Sequence, residues 1–251
     1  MRSMTPREAR AVRQRLQSLA AAGVAELPRA TRRGNAPTGA MPPAGGRSSV
    51  EPATTTPVAS TCDGDRAVAL RVLQAEVAGC TKCVDLASSR TTTVFGSGSP
   101  NARICFFGEA PGADEDASGE PFVGRAGQLL TKIIEACQLR REDVYILNVL
   151  KCRPPGNRLP LPGEVGNCRG FFERQFEAIS PEYICCLGAT AAHALLETAE
   201  PIGKLRKRWF TFHASKVICT YHPSYLLRNP AAKREVWDDM KLMMADMGVE
   251  L

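Results

Sequence analysis

The chain has 251 residues, 44% of them hydrophobic, which is material for one good-sized domain with an appendage. No apolar run approaches the roughly 20 residues a membrane span needs, and the arginine-bearing N-terminus lacks an apolar core followed by a cleavage site, so neither a membrane protein nor an exported one is expected. The formal charge of +6 is unevenly placed: residues 1–50 hold nine Arg against Glu8 and Glu26, a surplus of seven that leaves the remainder at minus one, so any attraction of the folded part for polyanions must come from local patches.

In chain order, Thr5-Pro6-Arg7-Glu8 has the form of a helix start, with Thr5 as N-cap, Pro6 at the first helical position and Glu8 closing a capping box. A short helix to about Leu27 is expected, carrying only a thin apolar stripe of Val12, Leu16 and Leu19. Residues 28–60 are dense in Pro, Gly, Ala, Ser and Thr, the composition of a disordered tether or of an arm that docks a partner. The expected division is an extension over 1–62 and a folded domain over 63–251.

Within the domain, Val68, Val72 or Leu73, and Val77 recur at helical spacing and run into Cys80-Thr81-Lys82-Cys83. Four apolar runs read as buried strands: Arg103–Phe107, Val144–Val149, Tyr183–Leu187 and Lys216–Tyr221. Helical patterns lie over 124–138, 163–179 and 189–198. Strands alternating with helices imply right-handed crossovers and a three-layer α/β/α sandwich with a small, mainly parallel four-stranded sheet. The segment Lys207–His213 suits a hairpin with the last strand.

The stretch GEAPGADEDASGEPFVGRAGQLL, Gly108 to Leu130, reads as strand end, loop and helix start. Its Gly and Pro residues permit sharp turning and close approach to a ligand, and Glu109 stands where open α/β sheets place their binding crevices. Asn148 ends the second strand and His222 the fourth, so three polar side chains converge on one sheet edge. Each alone has a plain structural reading, as a solvated loop acid, a strand cap and a turn residue. Of ten cysteines, Cys80, Cys83, Cys152 and Cys168 are spaced to hold tetrahedral zinc or an iron-sulfur cluster, and the spacing does not separate the two. Cys105, Cys137, Cys185, Cys186 and Cys219 read as core thiols, and Cys62 as an exposed linker thiol.

Together with that stretch, NVLKCRPPGNRLP and YHPSYLLRNP make the chain from about Ala78 to Met247 closely resemble the family 4 uracil-DNA glycosylases, the iron-sulfur type of bacteria and archaea. The resemblance implies a [4Fe-4S] cluster on Cys80, Cys83, Cys152 and Cys168, and hydrolysis of the bond joining uracil to deoxyribose in DNA. It assigns catalysis to Glu109 and His222, and substrate contacts to Ala110, Glu115, Phe122 and Asn148. Asn148 would read the pyrimidine, Phe122 would stack on the flipped base, and Glu115 would stand near the C5 edge. Pro223, Ser224, Leu226 and Arg228 are assigned to DNA, with Leu226 filling the vacated space and Leu227 an ordinary core residue. Lys204, Arg206, Lys207 and Arg208, the densest basic run of the domain, are further candidates for phosphate contacts. The expected partner is uracil-containing DNA, met by a monomer in the bacterial cytoplasm at the nucleoid. A glycosylase for another deaminated base, or a non-catalytic iron-sulfur or zinc DNA-binding module, is the alternative.

Overall fold

Every residue of Ile104–Gly108, Tyr145–Asn148 and Tyr183–Leu187 is buried, and strands with no polar face must be covered on both sides. The computed structural model describes residues 62–251, with side chains from Gly64 onward, and builds that arrangement. The expected helix to Leu27, the tether or docking arm of residues 28–60 and the Cys62 thiol lie outside what it describes. In chain order come α1 (Cys62–Ala78), α2 (Val84–Ser89), β1 (Ser97–Gly98), β2 (Ile104–Gly108), α3 (Ala113–Ser118), α4 (Arg125–Ala136), β3 (Tyr145–Asn148) and α5 (Pro162–Ile179). Then follow β4 (Tyr183–Leu187), α6 (Ala189–Leu196), α7 (Ile202–Leu205), β5 (Trp209–Phe212), β6 (Ser215–Thr220), α8 (Pro223–Arg228) and α9 (Lys233–Asp246).

The sheet has six strands in the order β1-β3-β2-β4-β6-β5, larger than the four expected. The four expected strands form its parallel centre, and the two additions are antiparallel edges. β1 is the two residues Ser97 and Gly98, too short and too polar to leave a period in the sequence. β5 is the hairpin partner expected within Lys207–His213, with Trp209 opposite Ile218 and Phe212 opposite Ser215.

Alternation along each strand divides the core in two. Cys105, Phe107, Leu147, Ile184, Cys186, Val217 and Cys219 face one layer, and Ile104, Phe106, Ile146, Cys185, Leu187 and Ile218 face the other. On the first side α5 packs Cys168, Phe171, Phe172, Gln175, Phe176 and Ile179, a stripe at helical spacing, with Phe172 and Phe176 each about 5 Å from the Phe107 ring. On the second side α4 supplies Gly127, Leu130 and Ile134, and α9 supplies Val236, Met240, Met243 and Met244. All five cysteines read as core thiols are buried here.

The strand order decides where a ligand can go. From β2 the chain crosses to β3 on one side, then returns past β2 to β4 and on to β6 on the other. The reversal opens a crevice between β2 and β4, beyond their C-terminal ends, with the ends of β3 and β6 as its flanks.

Candidate active site at the strand ends

A cleft of about 440 Å³ occupies that crevice, lined by Glu109, Ala110, Glu115, Phe122, Asn148, His222, Ser224 and Arg228 among others. The three polar side chains expected to converge do so. Asn148 is 2% exposed, and its Oδ1 has no hydrogen-bond partner among the described residues. A buried carbonyl oxygen without a donor is costly, so the fold holds Asn148 ready for a donor from outside. Gly108, its β2 neighbour in register, is required for this placement: a Cβ there would collide with both Asn148 Oδ1 and the Phe122 ring.

Phe122 sits at φ 54°, an uncommon backbone state for a bulky residue. Its loop is tied down from several directions. Arg141 donates from Nη2 to the carbonyl of Pro121 at 2.6 Å, and a Cβ on Gly127 would run into the Phe122 carbonyl, so α4 approaches as closely as only glycine allows. Glu115 completes the bracing: Oε2 accepts from Gly112 N–H, and Oε1 accepts from Val123 and Gly124 N–H, all at 3.0 Å. The sequence reading put Glu115 at a pyrimidine edge. Glu115 lines the cleft, and its carboxylate also staples the two ends of the loop that carries Phe122.

His222 stands across the cleft, its ring centroid 5.6 Å from that of Phe122. Ser224 N–H donates to His222 Nδ1 at 3.1 Å, which leaves the ring proton on Nε2. Burial, aided by the nearby Arg228 charge and opposed by Glu115, lowers the imidazole to about 4. The ring is therefore neutral near pH 7. Opposite it, Glu109 Oε2 accepts from the hydroxyl of Thr190, a residue of the first turn of α6 just past β4.

Two DNA assignments do not survive the packing. Pro223 and Leu226 are buried, Leu226 at 1% exposure in the layer with Leu130 and Val236, whereas Leu227, expected in the core, is 39% exposed. In a six-residue helix the apolar face points inward by periodicity, and in α8 that face falls on Pro223 and Leu226. The basic run is corrected as well. Arg206 is buried, donating from Nε to Asp239 at 2.7 Å, pairing with Glu235 and lying over the Tyr221 ring. Arg208 pairs with Glu200 at 3.0 Å and Lys207 with Asp238 at 3.7 Å, and none of the four basic residues lines the cleft.

Behind the β3 end lie the four spaced cysteines. Cys152 and Cys168 are buried, Cys80 and Cys83 are half-buried against the same core, and the four are near enough to influence one another electrostatically. Arg90 donates from Nη1 to Cys152 Sγ at 3.0 Å, and Asn167 from Nδ2 to Cys83 Sγ at 3.3 Å. Between them and the cleft sits Lys151, 1% exposed, whose Nζ donates to the backbone carbonyl of Asn148 at 2.8 Å. Burial lowers that ammonium to about 7, and raises the Cys168 thiol to about 11.

Sequence reasoning missed Thr190, Lys151, Arg90 and the cleft wall from Pro154 to Leu159. Thr190 was within reach, since the end of the third parallel strand belongs to the same edge as the other three. Lys151 was not, because a lysine between Leu150 and Cys152 looks solvated until the packing is seen.

Comparison with known proteins agrees with this geometry. The sequence model of the uracil DNA glycosylase superfamily matches residues 95–241. The chain is 45% identical over 174 residues to the type-4 uracil-DNA glycosylase of Archaeoglobus fulgidus, covering 66% of this chain and 87% of that one. It is 45% identical over 178 residues to the type-4 enzyme of Thermotoga maritima, covering 68% and 91%. A type-5 uracil-DNA glycosylase of Pyrobaculum aerophilum is more distant, at 32% over 146 residues, covering 51% and 64%. The chain belongs to the type-4 uracil-DNA glycosylases of the uracil DNA glycosylase superfamily.

Proposed function

We propose that this protein hydrolyses the N-glycosidic bond of uracil in DNA, leaving an abasic site, and that the observation carrying the reading is the orphaned Oδ1 of Asn148. Uracil presents N3–H as a donor beside the acceptor O4. Asn148 is complementary, with Oδ1 accepting from N3–H and Nδ2 donating to O4. Cytosine carries a bare N3 and a donor at its 4-position, so it would set lone pair against lone pair and donor against donor. A base can reach this cleft only after leaving the duplex stack, and Phe122 is the aromatic face that would receive it.

In the reaction, water adds at C1′ while the C1′–N1 bond breaks and its electron pair moves onto the departing pyrimidine. Charge then accumulates on uracil O2. A neutral His222 with its proton on Nε2 would donate there, an interaction stronger in the transition state than in the bound substrate. Glu109, one oxygen held by Thr190, would orient the water or offset positive charge on the sugar. The Ser224 hydroxyl and the guanidinium of Arg228, both of residues that line the cleft, would meet phosphate; no ion pair of Arg228 with a carboxylate is found among the described residues.

The cysteine quartet fits a [4Fe-4S] cluster. Its four thiols are near enough to influence one another electrostatically, and two of them receive hydrogen bonds suited to thiolates. Among the described residues no three His, Cys, Asp or Glu side chains close on one point as a single metal ion requires. The type-4 relatives support the iron-sulfur reading over zinc, and the spacing of the four cysteines accords with it. Cys80, Cys83, Cys152 and Cys168 would hold it. Bound there, the cluster supplies a four-point cross-link; hydrolysis moves no electrons. Lys151 would then join the cross-linked segment to the carbonyl of Asn148.

The test is a labelled oligonucleotide carrying one uracil, beside thymine and cytosine controls, treated with alkali after incubation. Strand breakage confined to uracil is expected. Equal breakage at cytosine would overturn the Asn148 reading. Iron and sulfide assay of the same anaerobic protein, expected near four of each per chain, tests the cofactor separately.

A further inference from the structure

With Leu226 in the core, the chain needs another apolar group to occupy the space that an extruded base leaves, and we infer that Leu159 is that wedge. The inference rests on the uracil-excision reading. Leu159 is 69% exposed and lines the same cleft as Asn148 and His222. Among the described residues it is the one large, mostly exposed aliphatic side chain that does so. Leu227 is less exposed and does not line the cleft, and Tyr225, which does, leans on Tyr221 with ring centroids 4.9 Å apart.

A wedge must also resist being pushed back. The loop bearing Leu159 is built for that. Pro154, Pro155 and Pro160 restrict its backbone, and Arg153 Nε donates to Asn157 Oδ1 at 2.7 Å. Arg158 grips Glu164 with two bonds of 2.9 and 2.6 Å, while the same carboxylate accepts from Leu161 N–H at 2.8 Å. An exposed leucine on a rigid loop gains nothing from burial in the free protein. Inserted between base steps it would exchange water for base faces, the use that apolar wedges have in other DNA-bending and base-extruding proteins. The neighbouring Leu161 is 51% exposed yet outside the cleft, which makes it an internal control.

The wedge predicts a substrate-dependent loss. Single-turnover excision by the full chain would be measured for wild type, Leu159→Ala and Leu161→Ala on uracil opposite adenine, opposite guanine and in a single strand. Leu159→Ala should lose about tenfold or more on the paired U:A duplex, less on the already weakened U:G pair, and under about twofold on the single strand, where nothing has to be unstacked. Leu161→Ala should match wild type on all three. A second arm places 2-aminopurine beside uracil and reads its fluorescence on binding, which needs no cleavage; Leu159→Ala should blunt the rise. An equal loss on single and double strands would make Leu159 a pocket-shaping residue and overturn the wedge, as would an undiminished rate on U:A. Failure of wild type to release uracil from the single strand would instead overturn the excision reading, with the fluorescence arm still deciding the wedge.

Discussion

Two regions of this molecule are dense in polar and charged side chains, and they resolve in opposite ways. Along Lys204–Arg208 the charges are largely compensated: Arg206 is buried against Asp239 and Glu235, Arg208 meets Glu200, and Lys207 meets Asp238. At the strand ends the fold withholds compensation, leaving Asn148 Oδ1 without a donor and the His222 Nε2 proton facing a cavity. A run of like charge in the sequence therefore marked a strut, and three isolated polar residues marked the cleft. Gln175 Oε1 and Asp239 Oδ1 are buried without partners too, so it is the combination of an unanswered atom with an open cleft, met only at Asn148 among these three, that points to a ligand.

Substitutions can break that contrast, and the largest effect should come from the orphaned amide. Asn148→Leu keeps the volume but removes both the acceptor and the donor, and should slow single-turnover excision by on the order of a thousandfold with little change in melting temperature. A rate within tenfold of wild type would place base reading elsewhere. Next in size is the strut. Arg206→Met strands the buried Asp239 and should cost about 3 kcal/mol of folding stability by denaturant titration. The salt dependence of DNA binding should stay as it was; a flattened slope would return Arg206 to the phosphate contacts.

His222→Ala should lower the excision rate by about a hundredfold, the scale of one lost donor to a developing anion. The pH profile sharpens that claim. Because the folded imidazole titrates at about 4 rather than near 6.5, the ring stays neutral from pH 8 to pH 5 and the rate should be flat across that window. Below it, protonation puts a hydrogen on Nδ1 against Ser224 N–H, and activity should fall. A limb near pH 6.5 that disappears in the variant would contradict the assignment. The smallest effect is expected at Glu109→Ala, about tenfold and not to zero, since a carboxylate that accepts from Thr190 is expected to orient the water rather than ionise it. Complete loss in a folded variant would make it a general base.

Much of the fold was legible in linear order because its causes are local. The four central strands are short apolar runs bounded by turn residues, α5 carries a clean helical stripe, and the end of each strand follows from where the apolar run stops. The convergence of Glu109, Asn148 and His222 followed from topology, which alternation of strand and helix nearly dictates. The edge strand β1 was hidden because two residues have no period, and the direction of Leu226 was hidden because a helix of under two turns with adjacent Leu226 and Leu227 offers either to the core.

By itself, then, the sequence determined the layer architecture, the edge that carries the chemistry, the identity of its three polar groups and the four cysteines with metal-ligand spacing, since hydrophobic periodicity and residue type act over a few neighbours. Tertiary structure alone decided which polar groups are answered and which are left open. Glu115 became a staple and Arg206 a strut because backbone N–H groups and carboxylates distant in the chain came within reach of them. Thr190 reached Glu109, Lys151 was sealed behind Asn148, and Leu159 stayed outside for the same reason. Burial and partnership depend on what folding brings alongside a residue, and no local pattern records that.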